Sequence, residues 1–156
     1  MGWGYIFLWF LVFISVISAF HWLPKQPIKD WVIVFCFKAF LSGFVDSFVV
    51  AEGLVSYPVR LLPDVFEIHI VFDLMVFPIL CVYFNQTTLH SRLSGIILQS
   101  ILYGIPIALF EWWAEVNTEL INHHNWWNIF HSFLFMVLTF LLVRAFIALI
   151  RKYSDP

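Results

Sequence analysis

Leu61–Pro78, LLPDVFEIHIVFDLMVFP, sets Asp64, Glu67, His69 and Asp73 among Val, Ile, Phe, Leu and Met. On insertion scales an ionisable group at bilayer depth costs about 2.5–3.5 kcal/mol, so several in one apolar segment point to a site. The other long apolar runs are punctuated in the same way, by Lys38, Asp46, Glu52, Glu111 or His131.

Outside this stretch the chain remains apolar. It is 156 residues long, 62% hydrophobic and 12% charged, with a mean hydropathy of +0.91, which is the composition of an integral membrane protein. A formal charge of -2 excludes a basic nucleic-acid surface. Cys36 and Cys81 lie in apolar runs without CxxC spacing and read as buried free thiols. Trp3–Phe20 has no Lys or Arg before it, is long enough to span, and is followed after a short loop by further apolar segments. It reads as a retained helix, not as a secretory signal.

Five runs approach the 20 or so residues that a spanning helix needs: Trp3–Trp22, Trp31–Gly53, Val65–Phe84, Leu93–Ala114 and Trp127–Ile150. Pro24 and Pro27, Pro58 and Pro63, Asn85–Thr88, and the acidic Glu115–Asn125 segment separate them. The expected architecture is all-α: a single five-helix membrane bundle over residues 1–156. Lys25, Lys29, Arg92, Arg151 and Lys152 fall on one side of such a bundle and Arg60 alone on the other, which predicts an outer N-terminus and a cytoplasmic C-terminus. Asn85-Gln86-Thr87 has the form of a glycosylation sequon but falls on the inner side, where it reads as a polar turn. Trp112-Trp113 and Trp126-Trp127 read as an interfacial aromatic belt at the outer boundary.

At 1.5 Å per residue, Asp46 and Asp73 lie at similar depths below the outer ends of neighbouring antiparallel helices. His69 and Asp73, four residues apart, share a helix face, and Glu67 points away from them. Ser100, Gly104 and Ala108 form a small-xxx-small packing stripe, with Glu111 on the same face. On the last helix Asn128, His131 and Ser132 make a polar side in the first turn. The candidate polar or metal site is therefore His69, Asp73, Glu111, His131 and Asp46.

Three chemistries suit that set. Histidine nitrogens with carboxylates ligate a divalent metal, zinc or a harder ion; the same groups without metal pass protons; or the network only fixes helix packing. No HExxH or other tight ligand motif is present. Glu52, Arg60 and Glu67 read as an outer-mouth charge cluster in which Arg60 pairs with one of the acids. Lys38 and Arg144 are expected to snorkel to the inner interface, and His21, His90, His123 and His124 to be boundary residues without a ligand role.

Leu61-Leu62-Pro63-Asp64, Phe72-Asp73-Leu74, Phe77-Pro78, Phe110-Glu111-Trp112 and His124-Asn125-Trp126-Trp127 resemble a family of small multispanning membrane proteins of endospore-forming bacteria. The resemblance covers roughly Tyr57–Arg144. It implies a bacterial cytoplasmic membrane and four or five helices, and it supplies no activity; Lys38 and Asp46 fall outside it. On these grounds the sequence reads as a multi-pass accessory or partner-binding membrane protein, with the bilayer and another membrane protein or a second copy as partners. The alternative is a metal- or proton-dependent transport protein or hydrolase that uses the His/Asp/Glu cluster.

Overall fold

A computed structural model describes residues 2–22 and 25–154. Four helices are long and apolar enough to cross a membrane: α1 (Trp3–Trp22), α2 (Ile28–Ala51), α4 (Leu93–Asn117) and α5 (Ile129–Ser154). Between α2 and α4 runs a shorter helix, α3 (Phe77–Thr87), entered through a π-helical turn at Phe72–Val76. The long helices leave Phe13, Phe44, Leu98 and Leu142 exposed, as expected of helices whose solvent is lipid and whose backbone groups are satisfied within each segment. The fold is that of a multi-pass membrane protein.

The third expected span is the one that differs. Residues 62–69 are not helical, and α3 with its π turn is shifted toward the C-terminus and shorter than the expected Val65–Phe84. Leu62 takes a left-handed φ of 54°, and its carbonyl accepts from the backbone N–H of both Val65 and Phe66. Pro78 accounts for the π turn, because it has no N–H for the Leu74 carbonyl and its ring would crowd that oxygen in a regular helix. The wider turn, in which Phe77 N–H bonds Phe72 O, accommodates both defects. Asn85 is not in a turn: it is buried in α3 and donates from Nδ2 to Cys81 O at 2.8 Å.

Helix α2 packs antiparallel to α5. Asp30 near its start is ion-paired with Arg151 near the end of α5, and Lys38 bonds Thr139 midway. On α4, Ser100 and Gly104 are buried, and Gly104 faces Phe133 and Val137 of α5, so the small-residue stripe packs a helix as expected. Strands β1 (Val55–Ser56) and β2 (Asn122–His123) pair antiparallel, Val55 opposite His123. This pair ties the chain leaving α2 to the α4–α5 connection at one end of the bundle, and Gly53 with φ 68° makes the bend out of α2. Two apolar clusters fill the interior. One is built around Val34, Phe84, Phe140 and Val143; the other, next to the strand pair, contains Val55, Val71, Leu120 and Trp127.

Candidate functional site

Between these clusters lies a polar cavity of about 80 Å³. A single water needs roughly 10–15 Å³ by this measure, so the space suits a few waters or a small ion, not an organic substrate. Lys38, Ser42 and Asp46 of α2, Asp73 of the π turn, Glu111 of α4 and Ser132 of α5 all line it. Three of the five expected site residues, Asp46, Asp73 and Glu111, therefore converge from different helices.

The carboxyl groups of Asp46 and Asp73 face the same cavity, near enough to interact, and neither Asp46 Oδ2 nor Asp73 Oδ2 has a hydrogen-bond partner among the described residues. A carboxylate has no donor, so the two can bond each other only by sharing a proton. Asp46 Oδ1 accepts from Tyr57 Oη at 2.7 Å, and the backbone of His69 lies beside the same carboxyl. Burial, then the charge of Asp46, pushes the Tyr57 hydroxyl well above its ordinary value, so Tyr57 remains a donor. Tyr57 from the β1–π-turn connection thus holds Asp46 in place, while the widened turn sets Asp73 against it.

Lys38 corrects the expectation of snorkelling. It is 2% exposed, donates from Nζ to Thr139 Oγ1 at 2.8 Å, and lies 5.4 Å and 5.8 Å from the ring centroids of Phe140 and Phe77. Its stem has nowhere apolar to run except through the packed cluster beyond Phe140, so the ammonium stays at the cavity. There it is within electrostatic reach of Asp73, with cation–π contacts as partial compensation. Arg144 does reach outward from α5, donating to the carbonyls of Thr88 and Leu89.

Glu111 shares the cavity with Ser132, and its Oε2 has no partner among the described residues. Ser132 Oγ is also 3.1 Å from Trp127 Nε1 and 3.3 Å from His123 Nε2. Glu115 Oε2 lies 2.9 Å from the other ring nitrogen of His123, off the line of a straight hydrogen bond, and Glu115 Oε1 accepts from the His123 backbone N–H at 3.0 Å. His123 is thus part of a polar chain, not a free boundary residue, and Trp127 is buried and does not belong to the aromatic belt.

The two remaining site histidines lie elsewhere. His69 is fully buried, but its ring does not line the cavity. It packs against Tyr57 and Phe72, and among the described residues neither ring nitrogen is aligned with a partner. His131 sits at the start of α5, stacked on Trp127 and bonded through Nδ1 to Asn128 Oδ1 at 3.0 Å; on a helix its spacing from Ser132 turns it away from the cavity.

The outer-mouth cluster is also rearranged. Arg60 forms no ion pair with Glu52 or Glu67 among the described residues. Its guanidinium donates to the carbonyls of Phe66, Tyr57 and Pro63 at 2.7, 2.7 and 3.2 Å. A non-helical loop leaves these oxygens unpaired, and a five-donor fork is suited to collecting them. Glu52 and Glu67 are exposed. Cys36 is exposed as well, and only Cys81 is buried.

Among the described residues, no three His, Cys, Asp or Glu side chains are arranged to hold a metal ion. Comparison with known protein families, curated proteins and solved structures finds no match to this chain.

Proposed function

We propose that this is a proton-dependent membrane protein that takes up and releases a proton at the Asp46–Asp73–Glu111 cluster. One observation carries the reading: two carboxyl groups from different helices line one small buried cavity, each with an oxygen that has no partner among the described residues, and a shared proton would satisfy both. Lys38 and Glu111 on the same small cavity supply a compensating charge and a further carboxyl acceptor, the kind of set that marks proton pathways in membrane helices. The five apolar segments would then all traverse the bilayer, α3 with the help of its non-helical entry. Lys25, Lys29, Arg92, Arg151 and Lys152 would face the cytoplasm, and the strand pair and N-terminus the outside. The resemblance to membrane proteins of endospore-forming bacteria would make that bilayer the cell membrane.

The test is a pH step across vesicles containing the purified protein and an internal pH dye. Wild-type vesicles should equilibrate faster than empty ones, and Asp73→Asn vesicles at the empty rate. Wild-type vesicles no faster than empty ones would refute the reading.

A second reading, an accessory or partner-binding protein in which this network only fixes helix packing, is favoured by the Lys38–Thr139 and Tyr57–Asp46 bonds, which tie neighbouring elements together. It predicts that Asp73→Asn is silent in every assay except stability.

A further inference from the structure

The cavity differs in what lies on its two sides. Toward the far end of the bundle, away from the strand pair, the buried side-chain hydrogen bonds turn back into their own helices: Lys38 donates to Thr139, whose hydroxyl donates to Met136 O at 3.0 Å, and Asn85 in α3 and Thr88 at its end donate to Cys81 O and Phe84 O. Beyond Thr139, Cys81, Phe84, Phe140, Val143 and Ile147 pack at 0–2% exposure. Toward the strand pair, polar groups follow one another to the surface. Glu111 and Ser132 line the cavity together, Ser132 Oγ is 3.3 Å from His123 Nε2, and His123 Nδ1 is 2.9 Å from Glu115. The His123 side chain is 4% exposed, whereas that of Glu115 is 32% exposed. The chain therefore begins at solvent and ends at the cavity.

We propose that protons reach the Asp46–Asp73 pair from the strand-pair end, along Glu115, His123, Ser132 and Glu111, an inference that rests on the proton-dependent reading above. The groups alternate in role as a relay requires. A proton taken by the Glu115 carboxylate passes to His123 Nδ1, and the imidazolium releases its other proton from Nε2 to Ser132 Oγ. Ser132 passes its own hydroxyl proton to the Glu111 carboxylate. His123 is left in its other tautomer and resets by ring rotation. From Glu111 the proton crosses the cavity, which both Asp46 and Asp73 line.

Groups from several neighbouring elements bear on the route, while α1 packs against α4 there through Phe7. Asp46 faces Glu111 from α2, and Tyr57 from the β1 side. Trp127 Nε1 holds the Ser132 oxygen from before α5. His124, bonded to Ser56 at 2.7 Å, stands near Glu115.

The test follows the shared proton directly. In the infrared spectrum of the protein in lipid vesicles, the C=O band of the protonated carboxyl shifts when H₂O is replaced by D₂O, and the rate of that shift is the rate of proton exchange at the pair. Ser132→Ala and His123→Gln should each keep the band and slow its shift about 10²-fold, the usual worth of one acid–base group. Ser132→Thr, which keeps a hydroxyl, should restore the rate. A band present in Ser132→Ala and His123→Gln that shifts as fast as in the wild type would overturn the relay and leave the proton-dependent reading standing. A wild-type protein without the band would overturn that reading, and the relay with it.

Discussion

Asp46→Ala removes the acceptor of the Tyr57 hydroxyl. Tyr57 Oη, 2.7 Å from Asp46 Oδ1, would be left without a partner. A buried donor stranded in this way costs about 1–3 kcal/mol, which is the expected loss. Asp46→Asn keeps a carbonyl for Tyr57 and an amide that can donate to Asp73, and should cost about 1 kcal/mol. The measurement is equilibrium unfolding of the protein in mixed micelles with increasing denaturing detergent. Tyr57→Phe made in the Asp46→Ala background should add less than it does alone, because the bond it removes is already gone. An Asp46→Ala protein within about 1 kcal/mol of the wild type would mean that the carboxyl does not anchor Tyr57, and the placement argued for the pair would fail.

Other substitutions test separate parts of the fold. A Cβ at Gly104 would stand 2.8 Å from Phe133 Cε2 and 3.2 Å from Val137 Cγ2, so Gly104→Ala should destabilise the α4–α5 contact by about 1–3 kcal/mol in the same unfolding assay. Arg60→Ala should raise amide hydrogen exchange across residues 57–66, whereas Glu52→Gln and Glu67→Gln should leave it unchanged.

The long helices were legible because length and apolar composition alone specify them, and α1, α2, α4 and α5 begin and end within a few residues of the expected limits. Helical spacing also carried the Ser100–Gly104 face, and depth arithmetic brought Asp46, Asp73 and Glu111 together. The remainder depended on contacts between distant segments. Pro78 signalled a disturbed helix, but not that a π turn would set Asp73 against Asp46. Arg60 found carbonyls because its loop is non-helical, which a reading of Val65–Phe84 as one continuous span had removed from view. Lys38 looked like a snorkelling residue until the packing around Phe140 closed its route. Ser132 showed only as part of a polar first turn, and His123 and Tyr57 gave no sign of a role, because a histidine and a tyrosine in loops acquire one only when β1 pairs with β2.

The account turns on one proton shared by Asp46 and Asp73. Infrared spectroscopy of the purified protein near neutral pH should show a protonated-carboxyl C=O band that disappears in Asp46→Asn and in Asp73→Asn alike, since either change leaves the remaining carboxylate an amide donor and no need of the proton. A spectrum without such a band, or one that keeps it in both variants, would contradict the shared proton and the function built on it.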